Sequence, residues 1–336
     1  MNNQESKELS REEIVARMKK RYVETGARMS TKFARAIVNP VAGGYSTYRE
    51  WPSMSKYLSN KGLLFDYVYT EGIGHAIELA EAAVNTDYRY IIAVGGDGTV
   101  NEVVNGILNS TDSHNTILGI VNTGTACSFA RSIGIPLDPV SSCSLLTSQN
   151  RLSIDVGIVE YKSEGQDLHR FFVNEADIGF GATVVEASKH ITNYFGRRIN
   201  YLPHIIGGLA SLISYKNKRI TLRLEDETED VYDCAMLVIA NGSHFGGGMK
   251  IAPNARPDDG LLDMVVFGNM GKSELLKVWP MTYKGHHVSH HKVRMRKIRN
   301  VSIQCAEKIL VEADGEFLGE GPVSFSVLPS ALSIVV

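Results

Sequence analysis

Short cysteine spacings are missing from this chain: Cys127, Cys143, Cys234 and Cys305 lie far apart in 336 residues, with no CxxC pair. That excludes a metal knuckle and a dithiol redox motif, and makes reduced thiols the expectation. No window approaches the roughly 18 consecutive apolar residues of a membrane-spanning helix. The polar start MNNQESKELSREE lacks the apolar core of a signal peptide. A cytoplasmic protein is therefore expected, with any membrane contact peripheral. A strong charge of either sign is also absent, since 35 Lys+Arg against 37 Asp+Glu leave a net charge of -2. Nothing in that balance calls for a nucleic-acid partner. Repeats, low-complexity tracts and Pro/Gly/Ser-rich linkers are missing too.

What is present is an ordinary globular composition, 43% hydrophobic and 21% charged, with 31 glycines that cluster. At roughly 150 residues per domain the length predicts about two domains. Residues 1–32 read as a polar N-terminal arm, with Ser10 and Glu13 as a capping box ahead of a helix. From residue 33 to 150 the runs FARAIVN, LLFDYVYT, YRYIIAV and TILGIVN alternate with helical stretches. That alternation predicts a parallel sheet covered on both faces, an α/β domain. Residues 151–322 are mostly strand-like runs, with one helical interruption near 182–215, and predict a β-sandwich. The cleft between the domains is the natural place for a site.

The strongest local signal is Gly95-Gly96-Asp97-Gly98-Thr99-Val100-Asn101-Glu102, set between a buried strand and a helix. Glycines let the backbone approach a ligand closely, and the helix's free first N–H groups suit phosphate oxygens. Asn39-Pro40-Val41-Ala42-Gly43-Gly44 and Thr123-Gly124-Thr125 follow two other strands, so three loops together make a phosphate cradle plausible. Two look-alikes fail. Gly271-Lys272-Ser273 has Val266 where a P-loop needs glycine, and Gly72-Ile73-Gly74 lacks the third glycine of a dinucleotide fingerprint. Asp258-Asp259-Gly260 is a paired-acid turn suited to Mg²⁺. Asp314-Gly315-Glu316 could supply a general base. The histidines between His286 and His291 lack ligand-type partners. With Lys292, Arg294, Arg296 and Lys297 they read as a partly basic surface facing anionic lipid.

GGDGTVNEVVNG, with NPVAGG before it and GTACSFAR after it, resembles the diacylglycerol kinase catalytic-domain family. GGGMKIAPNARPDDGLLD and the terminal DGE extend the likeness to bacterial diacylglycerol- and sphingosine-type lipid kinases, over about residues 33–336. The resemblance implies a Rossmann-like nucleotide domain followed by a β-sandwich domain, with residues 323–336 returning to the first domain, and transfer of the ATP γ-phosphate to a lipid hydroxyl at a membrane surface. It places nucleotide contacts on Asn39, Pro40, Val41, Ala42, Gly43 and Thr70, on Gly96, Asp97, Gly98, Thr99, Val100, Asn101 and Glu102, and on Thr125, with Arg131 as a phosphate-side cation. It places Mg²⁺ on Asp259, with the carbonyls of Arg256 and Leu261, and a homodimer is a further implication. The proton acceptor is Asp314 or Glu316, with Asp97 as a rival.

The chain departs from the family at Asn122-Thr123-Gly124-Thr125-Ala126-Cys127-Ser128, where an Asn-Asp pair is replaced by Cys127-Ser128 and a proline by Asn122. Two other readings therefore stand beside the lipid kinase: an NAD kinase-like small-molecule kinase, and a nucleotide- or lipid-binding protein without kinase activity. The apolar run from Ile205 to Ile213 is the candidate lining of an acyl-chain pocket.

Overall fold

The computed structural model describes residues 34–111, 113–163, 165–195 and 215–336. The N-terminal capping box and the Ile205–Ile213 run lie outside them. The chain begins with β1 (Ala34–Val38), α1 (Ala42–Asn60), β2 (Phe65–Tyr69), α2 (His75–Asn85), β3 (Tyr90–Gly95), α3 (Asp97–Asn109), β4 (Ile117–Asn122), α4 (Ser128–Ile133) and α5 (Pro139–Leu145). Four strands pair in parallel in the order β2-β1-β3-β4. The strand order reverses between β1 and β3, and the crevice beyond the carboxyl ends of two such strands is where open α/β sheets bind ligands. Strand β3 is buried throughout, as its unbroken apolar sequence requires of a strand covered on both faces.

The second half contains β5 (Arg151–Ser163), β6 (Gln166–Phe172), β7 (Glu175–Gly179), α6 (Phe180–Phe195), β8 (Lys218–Leu224), β9 (Glu229–Cys234), β10 (Met236–Ala240), β11 (Leu262–Phe267), α7 (Lys272–Thr282), β12 (Val293–Ile298), β13 (Asn300–Cys305), β14 (Leu310–Ala313) and β15 (Glu316–Val335). These strands are antiparallel and fold over a second core that includes Phe172, Ile178, Leu237, Val311 and Phe325. The sheet is continuous between the halves. Strand β15 pairs with β14 at its start, runs along β5 and β13, and ends in parallel with β4 through Ser333 and Ile334. Asp155, buried in β5, fastens this long strand by accepting N–H groups from Ser330 (2.8 Å) and Gly260 (2.6 Å).

Two segments take a defined place in the fold, and one reading of the sequence needs correction. The Gly271-Lys272-Ser273 segment opens helix α7, where Glu274 Oε2 accepts the Gly271 N–H at 3.4 Å. The basic run after the histidines forms strand β12, in which Val293 and Ile298 are buried in two different core clusters while Arg294, Arg296 and Lys297 between them are exposed. His287 is a core residue: it is wholly buried, its Nε2 lies 2.9 Å from the Ile251 carbonyl, and its ring stacks on Phe267.

Helices α2 and α3 touch closely at Gly106, where an added Cβ would meet the Ile77 carbonyl at 2.2 Å and the Ala80 methyl at 2.7 Å. Gly106→Ala is expected to lower stability by about 1–3 kcal/mol through overpacking. The urea midpoint should fall with an unchanged slope; an unchanged midpoint would contradict this packing.

Candidate active site

A cleft of about 450 Å³ opens at the carboxyl edge of the parallel strands. Asn39, Val41, Ala42 and Gly43 border it after β1, Thr70, Gly72 and Ile73 after β2, Gly96, Gly98 and Thr99 after β3, and Gly124 after β4. The local chemistry explains each loop. After β1 the backbone passes through three consecutive left-handed residues, Gly43 (φ 59°), Gly44 (φ 66°) and Tyr45 (φ 70°), a stretch that L-residues with a Cβ resist. Gly96 and Gly124 pack face to face, and a Cβ on Gly124 would sit 2.4 Å from the Gly96 Cα. The Asn39 amide donates to Thr99 Oγ1 at 2.9 Å, tying the first loop to the third. Helix α3 starts at this junction without a side-chain cap, so its first N–H groups are available.

Glu102 also borders the cleft, and its two oxygens accept the N–H groups of Gly74 (2.9 Å) and Ala76 (3.1 Å) at the start of α2. A carboxylate is stabilised there by the helix dipole. It fixes the loop after β2 against α3. Gly72-Ile73-Gly74 thus belongs to the cleft although it is no dinucleotide fingerprint.

The three acids proposed for proton transfer differ sharply in surroundings. Asp97 is not among the residues that line the cleft: its Oδ2 accepts the Ser128 N–H (2.9 Å) and its Oδ1 the Phe129 N–H (3.2 Å), capping α4. Burial pushes its carboxyl above the usual range. Asp314, with φ 47°, is enclosed. Its Oδ2 accepts from the Asn101 amide (2.7 Å) and the Val173 N–H (2.9 Å), and its Oδ1 from Asn174 N–H (3.0 Å) and Glu175 N–H (3.0 Å). Burial still pushes it up to about 6. Glu316 alone of the three borders the cleft, with 27% of its side chain exposed. Its Oε2 is paired at 3.1 Å with Arg170, which in turn donates to Asn101 Oδ1 at 2.8 Å.

The remaining predicted residues are placed as follows. Asn101 is wholly buried and joins α3 to β6 through the Phe171 carbonyl, while Val100 lies in the core. Thr125 and Arg131 are exposed and do not border the cleft; Arg131 Nε donates to the Ala126 carbonyl at 3.2 Å. Pro40 is half-buried beside it. Cys127 takes a left-handed conformation at the start of α4, and burial pushes its thiol up to about 11, which leaves it unreactive. Asp259 accepts the Leu261 N–H at 3.1 Å and pairs with the Lys297 ammonium, and the Arg256 side chain pairs with Asp258. The donors there suit a hard cation in kind, and a Mg²⁺ ion on Asp259 would take the place of the Lys297 ammonium.

Sequence reasoning missed Arg170, Asn105 and Asn174. Asn105 pairs with the Phe171 main chain in both directions, at 2.9 and 3.0 Å. Its spacing of four from Asn101 was the available signal, since both amides then share one helix face. Arg170 stands alone in an alternating strand and carries no such mark.

The model of the diacylglycerol kinase catalytic domain matches residues 34–159, and that of the YegS C-terminal NAD kinase beta sandwich-like domain matches residues 176–336. YtlR of Bacillus subtilis (strain 168) is 29% identical over 308 residues, spanning 89% of this chain and 97% of that protein. A diacylglycerol kinase of Staphylococcus haemolyticus (strain JCSC1435) is 28% identical over 295 residues, 88% of this chain and 85% of its own. A solved structure from Bacillus anthracis str. Sterne superposes with a TM-score of 0.74 at 22% identity, covering 93% of this chain and 97% of that one, and establishes the shared fold. With both domains matched in order, this chain belongs to the diacylglycerol kinase catalytic-domain family of lipid kinases.

Proposed function

We propose that the protein transfers the γ-phosphate of MgATP to the hydroxyl of a diacylglycerol-type lipid, with Glu316 as the proton acceptor. The observation that carries this reading is that Glu316 borders the same cleft as the glycine loops, whereas the carboxylates of Asp97 and Asp314 are filled by main-chain and amide donors. The nucleotide's phosphates would lie on the Asn39–Gly43 loop and the first N–H groups of α3. Mg²⁺ enters as part of the nucleotide substrate. The lipid oxygen attacks the γ-phosphorus, the bond to the β-phosphate oxygen breaks, ADP leaves, and the hydroxyl proton passes to Glu316. Such a transfer depends mainly on positioning and charge neutralisation. The names of the curated relatives favour diacylglycerol as the acceptor.

The membrane side of this reading falls on α7. Leu276 (53% exposed), Trp279 (36%) and Tyr283 (50%) form an outward stripe on and just beyond the helix. Lys277 and Lys284 are exposed beside it, and aromatic rings with lysines suit an anionic membrane interface. The run expected to fill this role is less apt, because Lys292, Arg296 and Lys297 pair with Glu274, Asp226 and Asp259.

Glu316→Gln is expected to lower kcat by about 10²–10⁴, the usual contribution of general base catalysis, with KM for ATP and thermal stability nearly unchanged. Asp314→Asn should instead lower the unfolding temperature, because its NH₂ would face main-chain N–H groups. Turnover of Glu316→Gln within threefold of wild type would reassign the base. Leu276→Ser with Tyr283→Ser should weaken sedimentation with phosphatidylglycerol vesicles by about tenfold, and equal sedimentation would remove α7 from the membrane face.

A further inference from the structure

Strands β7 and β14 bring together three acids that the reaction above leaves unused. Asp177 lies opposite Glu312 across the β7–β14 ladder, and Glu175 sits two residues along on the same face. One ligand atom from each lies within 4.8 Å of the others. The residues are 4%, 1% and 1% exposed for Glu175, Asp177 and Glu312. Backbone donors satisfy part of the group: Asp177 Oδ1 accepts the Ala182 N–H at 2.7 Å, and Glu312 Oε2 accepts the Gly315 N–H at 2.8 Å. Glu175 supplies a separate sign of a missing partner, because its Oε2 is fully buried and accepts no hydrogen bond.

Within the group the Glu312 carboxyl shares hydrogen bonds with Glu175 and Asp177, but nothing cationic outside it compensates the three acids. On the far side of β7 the residues opposite Asp177 and Glu175 are Val238 and Ala240. Among the described residues no lysine, arginine or histidine forms an ion pair with any of the three. Burial raises all three carboxyls, Asp177 to about 7, with Glu175 and Glu312 well above the usual range. A buried carboxylate without a partner is relieved by a proton or by a cation. Asp259 differs in this respect, since Lys297 already pairs with it.

We propose that Glu175, Asp177 and Glu312 form a binding site for one divalent cation of the Mg²⁺, Ca²⁺ or Mn²⁺ class, held between β7, β14 and the start of α6. Carboxylate oxygens from two paired strands and a helix-capping acid supply the hard ligands such ions take. The ion would brace the turn that carries the proposed base. Glu312 holds the Gly315 N–H, and the Asp314 N–H donates to the Glu175 carbonyl at 2.8 Å. The site is distinct from the nucleotide's Mg²⁺ and does not depend on the assignment of the kinase reaction.

The test uses full-length, nucleotide-free protein stripped with EDTA and titrated with Mn²⁺, read by the loss of the free-Mn²⁺ electron spin resonance signal. An Asp259→Asn background removes the other candidate carboxylate. One Mn²⁺ per chain is expected in that background, with a rise in unfolding temperature on binding. Glu175→Gln and Glu312→Gln should each weaken binding by at least about tenfold. Absence of Mn²⁺ binding in the Asp259→Asn protein would overturn the proposal and leave a proton-sharing cluster. Binding that persists unchanged in both glutamine variants would overturn it as well. If a glutamine variant does not fold, the Mn²⁺ stoichiometry of the Asp259→Asn protein decides.

Discussion

The carboxylate of Asp314 holds the two halves of the protein in register. It collects one donor from α3, the Asn101 amide, and three main-chain donors from the junction of β6 and β7. A buried carboxylate with four such donors is a strong geometric constraint, since losing any one leaves charge unsatisfied in a low-dielectric interior. The helix that presents the glycine loop is thereby fixed to the strands that present Glu316, two residues further on. Arg170 repeats the connection on the cleft side by bridging Asn101 and Glu316. The distance between the phosphate loops and the acid therefore depends on this clamp more than on the cleft walls themselves.

The alternation of apolar strands and helices in residues 33–150 was legible because a parallel strand covered on both faces must be continuously hydrophobic. The junction between the domains was less so. Strand β15 runs for 20 residues and belongs to both parts of one continuous sheet, a consequence of pairings with β4 and β5 more than 150 residues away in the chain. No local pattern encodes such pairings. Helix α7 escaped notice because Trp279-Pro280 interrupts its composition. Strand β12 escaped because its alternation is carried by exposed cations and only two buried ends.

The site follows the same division. Loops whose glycines answer a backbone requirement could be read directly, since Gly43, Gly96 and Gly124 occupy positions where a Cβ would strike a neighbour. Glu316 and Glu102 stood out in the sequence as members of the DGE and glycine-rich motifs, and both line the cleft. Glu175, Asp177 and Glu312 could not be found in this way. Each looks like an ordinary acid in a strand, and only the β7–β14 register brings them within 4.8 Å of one another. At the Cys127-Ser128 replacement the Ser128 and Phe129 N–H groups both donate to Asp97.

The account depends most on phosphoryl transfer to a lipid hydroxyl within this cleft. The direct measurement is incubation of the full-length protein with γ-labelled ATP, Mg²⁺ and mixed vesicles containing diacylglycerol and a long-chain base, with NAD present as a competing acceptor. Label extracted into organic solvent with the mobility of phosphatidic acid is the predicted result. Label confined to NAD, or no labelled product from protein that still binds ATP, would contradict it.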